Sequence, residues 1–217
     1  MRVLMIAAPG AGKGTQGERI AAHFGVPHVA TGDLLRDHVA RGTEIGRTVQ
    51  GYLDRGELVP DDVMLGMVRE AFDLARDAGG YVLDGLPRTM AQARAAYEIA
   101  AELGMTAQVA LHLDVETDEV VRRLLARAAE QGRSDDTEDV IAHRLRVYDE
   151  LTRPILEWYG ERGILVTVDA MRAPDDVTRE ILAALEVLRS VVDAVPESER
   201  QAIDLTGLRD AFGGESE

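Results

Sequence analysis

Short apolar runs alternate along the chain with longer segments of helical periodicity, and glycine, proline or aspartate follows each apolar run. The apolar positions within a run are nearly continuous, which is typical of strands covered on both faces. This alternation predicts a parallel sheet whose strands are connected by helices. The predicted strands span residues 3–6, 28–30, 81–83, 109–113 and 164–168.

The segments between these runs have the apolar spacing of amphipathic helices. They predict helices over residues 13–24, 32–41, 44–55, 61–78, 90–103, 118–129, 137–159 and 174–188. The stretch between the second and third strands is wholly helical, which indicates an inserted flap. A short irregular segment, residues 131–136, separates two of the later helices.

The helical pattern degrades from residue 190 onward. Residues 190–217 contain seven acidic residues and two arginines, a charge of −5 within the total of −15. Acidic segments at a chain end are commonly loosely packed. We therefore expect an acidic C-terminal extension, and we favour this interpretation over a partner-binding surface.

Composition narrows the class of ligand. The 217 residues are 46% hydrophobic, which is sufficient for the core of one domain. The net charge of −15 argues against a nucleic-acid polymer or an acidic membrane as partner, so an anionic ligand should be small. The chain has no cysteine, which excludes disulfides and thiolate metal sites and fits a cytoplasmic protein. No apolar run approaches the length of a membrane span.

The first predicted strand leads into a glycine-rich loop that opens a helix, which is the context of a phosphate-binding loop. The backbone N–H groups of such a loop and the helix N-terminus together form a concavity for phosphates. Lys13 is the one lysine among the 24 Lys and Arg residues, which indicates that a compact ammonium is needed there. A turn that binds nothing is the alternative, but the Gly-Lys-Gly-Thr core favours phosphate. The candidate residues are Gly10, Ala11, Gly12, Lys13, Gly14 and Thr15, of which Thr15 can reach Mg²⁺.

The run over residues 9–16, Pro-Gly-Ala-Gly-Lys-Gly-Thr-Gln, resembles the adenylate kinases and their nucleoside monophosphate kinase relatives. The resemblance implies a P-loop three-layer α/β/α fold with a five-stranded parallel sheet. It implies a domain over residues 1–189 with a helical monophosphate-binding flap near residues 30–59 and a short lid near residues 126–136. The implied activity is reversible phosphoryl transfer from MgATP to AMP, giving two ADP, by a monomer. The longer bacterial lid can carry zinc, so this short lid implies no structural zinc.

Further segments resemble the family's acceptor site, in the same order along the chain. The Thr31-Gly32 pair is more like an AMP kinase than a UMP/CMP kinase. Taken alone, Thr31 could instead cap a helix and Arg36 could be a solvated charge. The resemblance implies that AMP is bound by Thr31, Arg36, Glu57, Leu58, Val59, Gly85, Leu86, Pro87, Arg88, Gln92, Arg133 and Arg144.

Residues 81–89 place a carboxylate at a strand end and an arginine four residues later. Asp84 offers a hard anionic oxygen to Mg²⁺ or its waters, and Arg88 can bind a phosphate through two N–H groups. The alternatives are an aspartate bonded to its own turn and an exposed arginine. Gln92 is ambiguous because Thr89-x-x-Gln92 also has the spacing of a capping box. The resemblance places this glutamine on the adenine edge, the interpretation that we favour.

Arginines recur on several predicted elements, as expected where negative charge spreads over a transferred phosphoryl group. Arg123 and Arg127 lie one helical turn apart, Arg133 falls in the irregular segment and Arg144 lies on the next helix. Singly, each is more often a solvated charge. The resemblance implies that Arg123, Arg127 and Arg172 bind ATP together with the phosphate loop, that Lys13, Arg88, Arg127, Arg133 and Arg144 are catalytic, and that Asp135 and Asp136 support the lid.

Three positions depart from the family pattern. Ala7 and Ala170 replace glycines, which matters only if these sites need φ > 0 or a very close ligand approach. Leu86 replaces a phenylalanine beside the AMP base. Arg122 and Arg146 match no family position and are expected on the surface. The competing functions are a UMP/CMP kinase of the same fold and a non-catalytic adenine-nucleotide sensor.

Overall fold

The computed structural model describes residues 1–131 and 137–194. Five parallel strands form one sheet in the order β2-β3-β1-β4-β5, which confirms the predicted α/β fold with a five-stranded parallel sheet. No helix within the described ranges is long and apolar enough to cross a membrane. The strands are β1 Arg2–Ile6, β2 His28–Ala30, β3 Tyr81–Asp84, β4 Val109–Asp114 and β5 Leu165–Asp169.

Helices fill the connections between the strands. Helices α2 to α4 lie between β2 and β3, so the predicted insertion is helical, and a π-helical segment joins α7 to α8. The helices are α1 Lys13–Phe24, α2 Thr31–Ala40, α3 Glu44–Arg55, α4 Asp61–Asp77, α5 Met90–Glu102, α6 Thr117–Gln131, α7 Glu138–Val147, α8 Pro154–Gly160 and α9 Pro174–Ala194, with the π-helical segment over Tyr148–Thr152.

The strand register brings the carboxyl ends of the central strands to one edge of the sheet. Met5 on β1 and Ala30 on β2 both pair with Asp84 on β3. The chain leaves β1 into the glycine-rich loop, β2 into α2, and β3 into the loop over residues 85–89. Because parallel strands end at the same edge, these three connections lie next to one another.

The sheet separates two hydrophobic layers, because successive side chains of a strand point to opposite faces. On one face, Leu4 and Leu83 belong to a buried cluster with side chains of α4, α5 and α8. On the other face, Val3 and Val82 belong to a cluster with side chains of α1 and α9. Burial on both faces accounts for the nearly continuous apolar strands.

The prediction of a single helix over residues 137–159 is wrong. The segment is divided into α7, the π-helical turn and α8, and the Arg153 N–H donates to the Tyr148 carbonyl over 2.8 Å. Proline has no N–H, and its ring collides with the carbonyl four residues earlier in an α-helix. Pro154, the first residue of α8, accounts for the break. Thr152, the last residue of the wide turn, is 6% exposed.

The predicted end of the last helix at residue 188 is also wrong. Helix α9 continues to Ala194, and Val192 is buried in the same hydrophobic layer as Ile181, Leu185 and Leu188. These positions keep helical spacing across residue 190. One buried apolar stripe therefore outweighs the acidic composition at the start of the predicted extension.

The packing of α2 against α3 depends on Gly46. A Cβ added there would lie 2.1 Å from the His38 carbonyl oxygen, so two backbone segments would have to separate. We predict that Gly46→Ala lowers the free energy of unfolding by about 1–3 kcal/mol, measured by urea denaturation. Gly51→Ala on the same helix is the control, because its Cβ would meet the flexible end of Arg55, and it should be neutral or stabilising. Equal stability of the two variants would contradict this account of the packing.

Candidate active site

A cleft of about 680 Å³ opens at the carboxyl edge of the sheet. The loops after β1 and β3, the helices between β2 and β3, and helices α6 and α7 all contribute to its walls. Most of the residues predicted from the sequence meet here. The predicted residues that line the cleft are Gly10, Gly12, Lys13, Gly14, Thr15, Thr31, Arg36, Glu57, Leu58, Val59, Asp84, Gly85, Pro87, Arg88, Gln92, Arg123, Arg127 and Arg144.

The remaining predicted residues do not line this cleft or fall outside the described part of the chain. Ala11 is 2% exposed and Leu86 is fully buried, so both belong to the supporting core. The Arg172 side chain is not among the lining residues, and it pairs with Glu180 and Asp169. The predicted lid residues outside the described ranges are Arg133, Asp135 and Asp136.

The glycine-rich loop curves tightly because two of its glycines adopt left-handed conformations. Gly10 has a φ of 86°, and Gly12, which precedes α1, has a φ of 99°. A Cβ added to Gly10 would lie 2.7 Å from the Leu124 side chain of α6. The loop therefore approaches α6 more closely than a residue with a side chain would allow.

Two alanines that replace family glycines fit without backbone strain. Among the described residues, only glycines have positive φ. The carbonyls of Ala7 and Ala8 accept hydrogen bonds from the Lys13 ammonium over 2.9 and 3.1 Å. The Ala170 N–H donates to the Asp114 carbonyl over 2.8 Å. The conformational reason for glycine at positions 7 and 170 is therefore absent.

The electrostatics of the cleft favour an anion. Desolvation lowers the pKa of Lys13; Asp84 acts to raise that pKa, whereas Arg88 and Arg127 lower it further. Desolvation also lowers the pKa of Arg88, where Asp84 again opposes the shift and Arg144 adds to it. A phosphate placed among these groups would stabilise their charged forms and reverse the shifts.

Three hydrogen bonds hold Arg88. Its Nε donates to the Gly85 carbonyl over 2.9 Å, its backbone N–H donates to Gln92 Oε1 over 2.8 Å, and its carbonyl accepts from the Thr152 hydroxyl over 2.8 Å. Of the three guanidinium nitrogens of Arg88, only Nε makes a hydrogen bond to another residue within 1–131 and 137–194. The two Nη groups remain for a ligand anion.

Thr31 joins the start of α2 to the end of β3 instead of capping α2. The helix starts at Thr31 without a side-chain cap, and the Thr31 hydroxyl donates to the Asp84 carbonyl over 3.2 Å. Gly85 has a φ of 91°, and a Cβ there would lie 2.4 Å from this hydroxyl. Arg36, which lines the cleft, pairs with Asp33 on its own helix.

Gln92 forms half of the predicted capping box, since its Oε1 accepts from the N–H of Arg88 and not from that of Thr89. Thr89 caps α5, and its hydroxyl accepts from the Gln92 N–H over 3.1 Å. The side-chain amide accepts from the Arg88 N–H over 2.8 Å and donates to Asp61 Oδ1 over 2.7 Å. Gln92 is 2% exposed and lines the cleft. The amide is therefore held at the wall of the cleft, within reach of a nucleobase in the cleft.

Helix α7 contacts the flap at Gly56. Gly56 follows α3 with a φ of 69°, and a Cβ there would lie 2.9 Å from the Arg144 side chain. Arg144 Nη2 also donates to the Leu53 carbonyl over 3.4 Å. Glu57, the next residue, pairs with Arg55 over 2.8 Å. Arg144 thus lies against the loop that carries the predicted AMP contacts Glu57, Leu58 and Val59.

Helix α6 holds its arginines through Glu119. Hydrogen bonds from Arg122 and Arg123 lower the pKa of Glu119 to about 2. Arg123 Nη2 also donates to the Ala170 carbonyl over 2.9 Å. The Arg122 side chain is 71% exposed, as expected of a surface residue, but it also lines the cleft. Glu119 thereby fixes two cations at the cleft wall.

Tyr148 and Thr152, both on the π-helical segment, are among the cleft residues that sequence reasoning missed. The Tyr148 hydroxyl lies 3.3 Å from His112 Nε2 on β4, and Thr152 bonds Arg88 from 64 residues away. Pro154 signals an irregular helix. It gives no indication of which distant residues the irregular turn contacts.

Comparisons with known proteins give one family. A family model described as adenylate kinase matches residues 5–164. The chain is 51% identical over 185 residues to the adenylate kinase of Kocuria rhizophila, covering 85% of this chain and 98% of that protein. It is 45% identical over 186 residues to the adenylate kinase of Thermobifida fusca, covering 86% and 98% of the two chains. It is 44% identical over 185 residues to the adenylate kinase of Thermus thermophilus, covering 85% and 97%.

The buried hydroxyl of Thr152 should stabilise the loop that carries Arg88. We predict that Thr152→Val lowers the free energy of unfolding by about 1–3 kcal/mol, because it leaves the Arg88 carbonyl without its donor. Thr152→Ser keeps the hydroxyl and should lose less. Urea denaturation of both variants checks this, and a valine variant as stable as the serine variant would contradict it.

Proposed function

Since the chain belongs to the adenylate kinase family, we propose that its cleft catalyses reversible phosphoryl transfer from MgATP to AMP, giving two ADP. The observation that carries this proposal is the convergence of two phosphate-binding arrangements on one cleft. One is the loop that holds Lys13, and the other is the set Arg36, Arg88 and Arg144 from three separate elements. Two phosphate chains held between these groups can react in line.

The donor half of the site is built on the glycine-rich loop. Its N–H groups and the N-terminus of α1 bind the ATP phosphates, and Lys13 leaves the carbonyls of Ala7 and Ala8 to contact the β- and γ-phosphates. Arg123 and Arg127 on α6 add positive charge from the other side. We also assign Arg172 to ATP, and Arg133 to AMP and the transferred phosphoryl group, with Asp135 and Asp136 supporting the lid.

The acceptor half lies between the flap and the loop after β3. Arg36, Arg88 and Arg144 bind the phosphate of AMP, and the open Nη groups of Arg88 suit a two-point contact with it. Thr31 and Gln92 contact the nucleoside from the cleft wall. The loop residues Glu57, Leu58 and Val59, together with Gly85 and Pro87, complete the AMP site against the buried Leu86.

The oxygen donors in the cleft suit Mg²⁺ bound together with ATP. Asp84 at the end of β3 and Thr15 at the start of α1 both line the cleft. Residues 1–131 and 137–194 contain no cluster of three or more His, Cys, Asp or Glu side chains suited to a metal. Mg²⁺ usually keeps several waters and takes phosphate oxygens as ligands. Asp84 and Thr15 would hold it directly or through water, and it would offset charge on the phosphates.

The protein residues act by positioning and by charge. The phosphate of AMP is already an anionic nucleophile, so no side chain needs to remove a proton from it. Transfer spreads negative charge over the moving phosphoryl group, which Lys13, Arg88, Arg127, Arg133 and Arg144 offset. Closure of the flap and lid excludes water and prevents hydrolysis.

We assign residues 1–189 to the kinase domain, with the flap near residues 30–59 and the lid near 126–136. The acidic extension, residues 190–217, begins within α9. We further propose a monomeric cytoplasmic protein whose partners are ATP, AMP and ADP. A UMP/CMP kinase and a non-catalytic nucleotide sensor are less favoured, because the relatives named above are adenylate kinases.

The acceptor base is tested by comparing AMP, CMP, UMP and GMP at a fixed concentration of MgATP. We predict the highest kcat/KM with AMP, because the Gln92 amide can accept from and donate to the adenine edge. ADP formation in a coupled assay measures each rate. Equal or faster turnover of a pyrimidine monophosphate would overturn the AMP assignment.

Arg88 should contribute through placement of AMP. We predict that Arg88→Ala lowers kcat/KM for AMP by about 10²-fold or more, because misplaced reactants lose the benefit of alignment. Arg94→Ala on α5 is the control, since Arg94 is exposed and does not line the cleft. A near-normal rate for the Arg88 variant would remove Arg88 from the site.

A further inference from the structure

The neighbours of the Gln92 side chain determine which way its amide points. The Arg88 backbone N–H can only donate, so the group facing it over 2.8 Å is the carbonyl Oε1. An ionised Asp61 carboxylate can only accept, so the group facing it over 2.7 Å is Nε2. The two contacts demand the same orientation, and neither partner tolerates the flipped amide.

The fixed amide keeps part of its hydrogen-bonding capacity. A glutamine amide has two N–H donors and two acceptor lone pairs. The contacts with Arg88 and Asp61 use one of each. Gln92 is 2% exposed, so bulk water has little access to the remaining donor and acceptor. Because Gln92 lines the cleft, a ligand bound there can use them.

The order of these two groups distinguishes purines. Adenine presents an N6 amino donor beside the N1 acceptor, which match Oε1 and Nε2 respectively. A 6-oxopurine presents an O6 acceptor beside an N1–H donor, so its pattern is reversed. Binding it in the same place would require Gln92 to flip, which would set donor against donor at Arg88 and acceptor against acceptor at Asp61.

We propose that Asp61 is a positioning residue that determines specificity for 6-aminopurine over 6-oxopurine monophosphates by locking the Gln92 amide. This inference rests on the proposed function, in which Gln92 contacts the acceptor base. Asp61 is the first residue of α4 and follows the flap loop, whereas Gln92 lies on α5. The lock therefore connects the flap to the element that reads the base.

The test is the ratio of kcat/KM for AMP to that for IMP in Asp61→Asn at saturating MgATP. An asparagine amide can present either a donor or an acceptor to Gln92, so the flip loses one of its two penalties. One hydrogen bond of about 0.5–1.5 kcal/mol corresponds to about 2–12-fold, and we expect the ratio to fall by that factor. IMP is the probe because it differs from AMP at the 6-position and N1 alone.

Asp62→Asn is the matched control. Asp62 is the next residue, is also exposed in the first turn of α4, and has no part in the proposed site. Its variant carries the same charge change and should leave the AMP to IMP ratio at the wild-type value. Asp61→Ala removes the lock by a different substitution and should also lower the ratio. It provides the test if the asparagine variant folds poorly.

The outcomes separate specificity from a structural role. Equal losses with AMP and IMP, which leave the ratio unchanged, would mean that Asp61 only shapes the loop and would overturn the proposal. A higher ratio, or a fall in Asp62→Asn of the same size, would overturn it too. Failure of the proposed function would be visible separately, as absence of AMP turnover by the wild-type protein.

Discussion

Repulsion between cations is the constraint on which the site depends, because among the described residues seven Lys and Arg residues line the cleft against four Asp and Glu residues. Desolvation lowers the pKa of Lys13 and of Arg88, and the cations around each lower it further. Like charges repel strongly where water is scarce, so these cations destabilise one another. Phosphate groups remove this repulsion. We therefore expect phosphate binding and the gathering of cations from separate elements to be coupled energetically.

The fold holds Lys13 and Arg88 with neutral acceptors, whereas Arg36 and Arg123 also pair with carboxylates. Lys13 is bonded to carbonyls of its own loop, the Nε of Arg88 to the carbonyl of Gly85, and Arg123 to the carbonyl of Ala170. A carbonyl positions a cation without cancelling its charge, whereas a carboxylate would form an ion pair that a phosphate must disrupt. The close turns at Gly10 and Gly85 bring these loops together at the sheet edge. Positioning and charge are thus supplied by different groups.

The sequence predicted those features of the fold that local patterns of residues determine. The apolar runs located the five strands, and the glycines around Lys13 located the loop. Contacts between distant segments could not be predicted from the local sequence pattern. The bonds of Thr152 to Arg88 and of Asp61 to Gln92 span 64 and 31 residues, and both depend on how helices pack after the chain has folded. The burial of Val192 was missed for a local reason, since acidic neighbours obscured its helical spacing.

We propose that the charge at Lys13 promotes phosphoryl transfer between two nucleotides. The most direct measurement is ADP formation from equal ATP and AMP with Mg²⁺, comparing the wild-type protein with Lys13→Ala while nucleotide binding is followed by calorimetry. We predict two ADP for each ATP consumed by the wild type, and a rate about 10²–10³-fold lower in the variant, as for removal of one preorganised charge-stabilising group. Wild-type binding of both nucleotides without Lys13-dependent ADP formation would contradict the account and identify a nucleotide sensor.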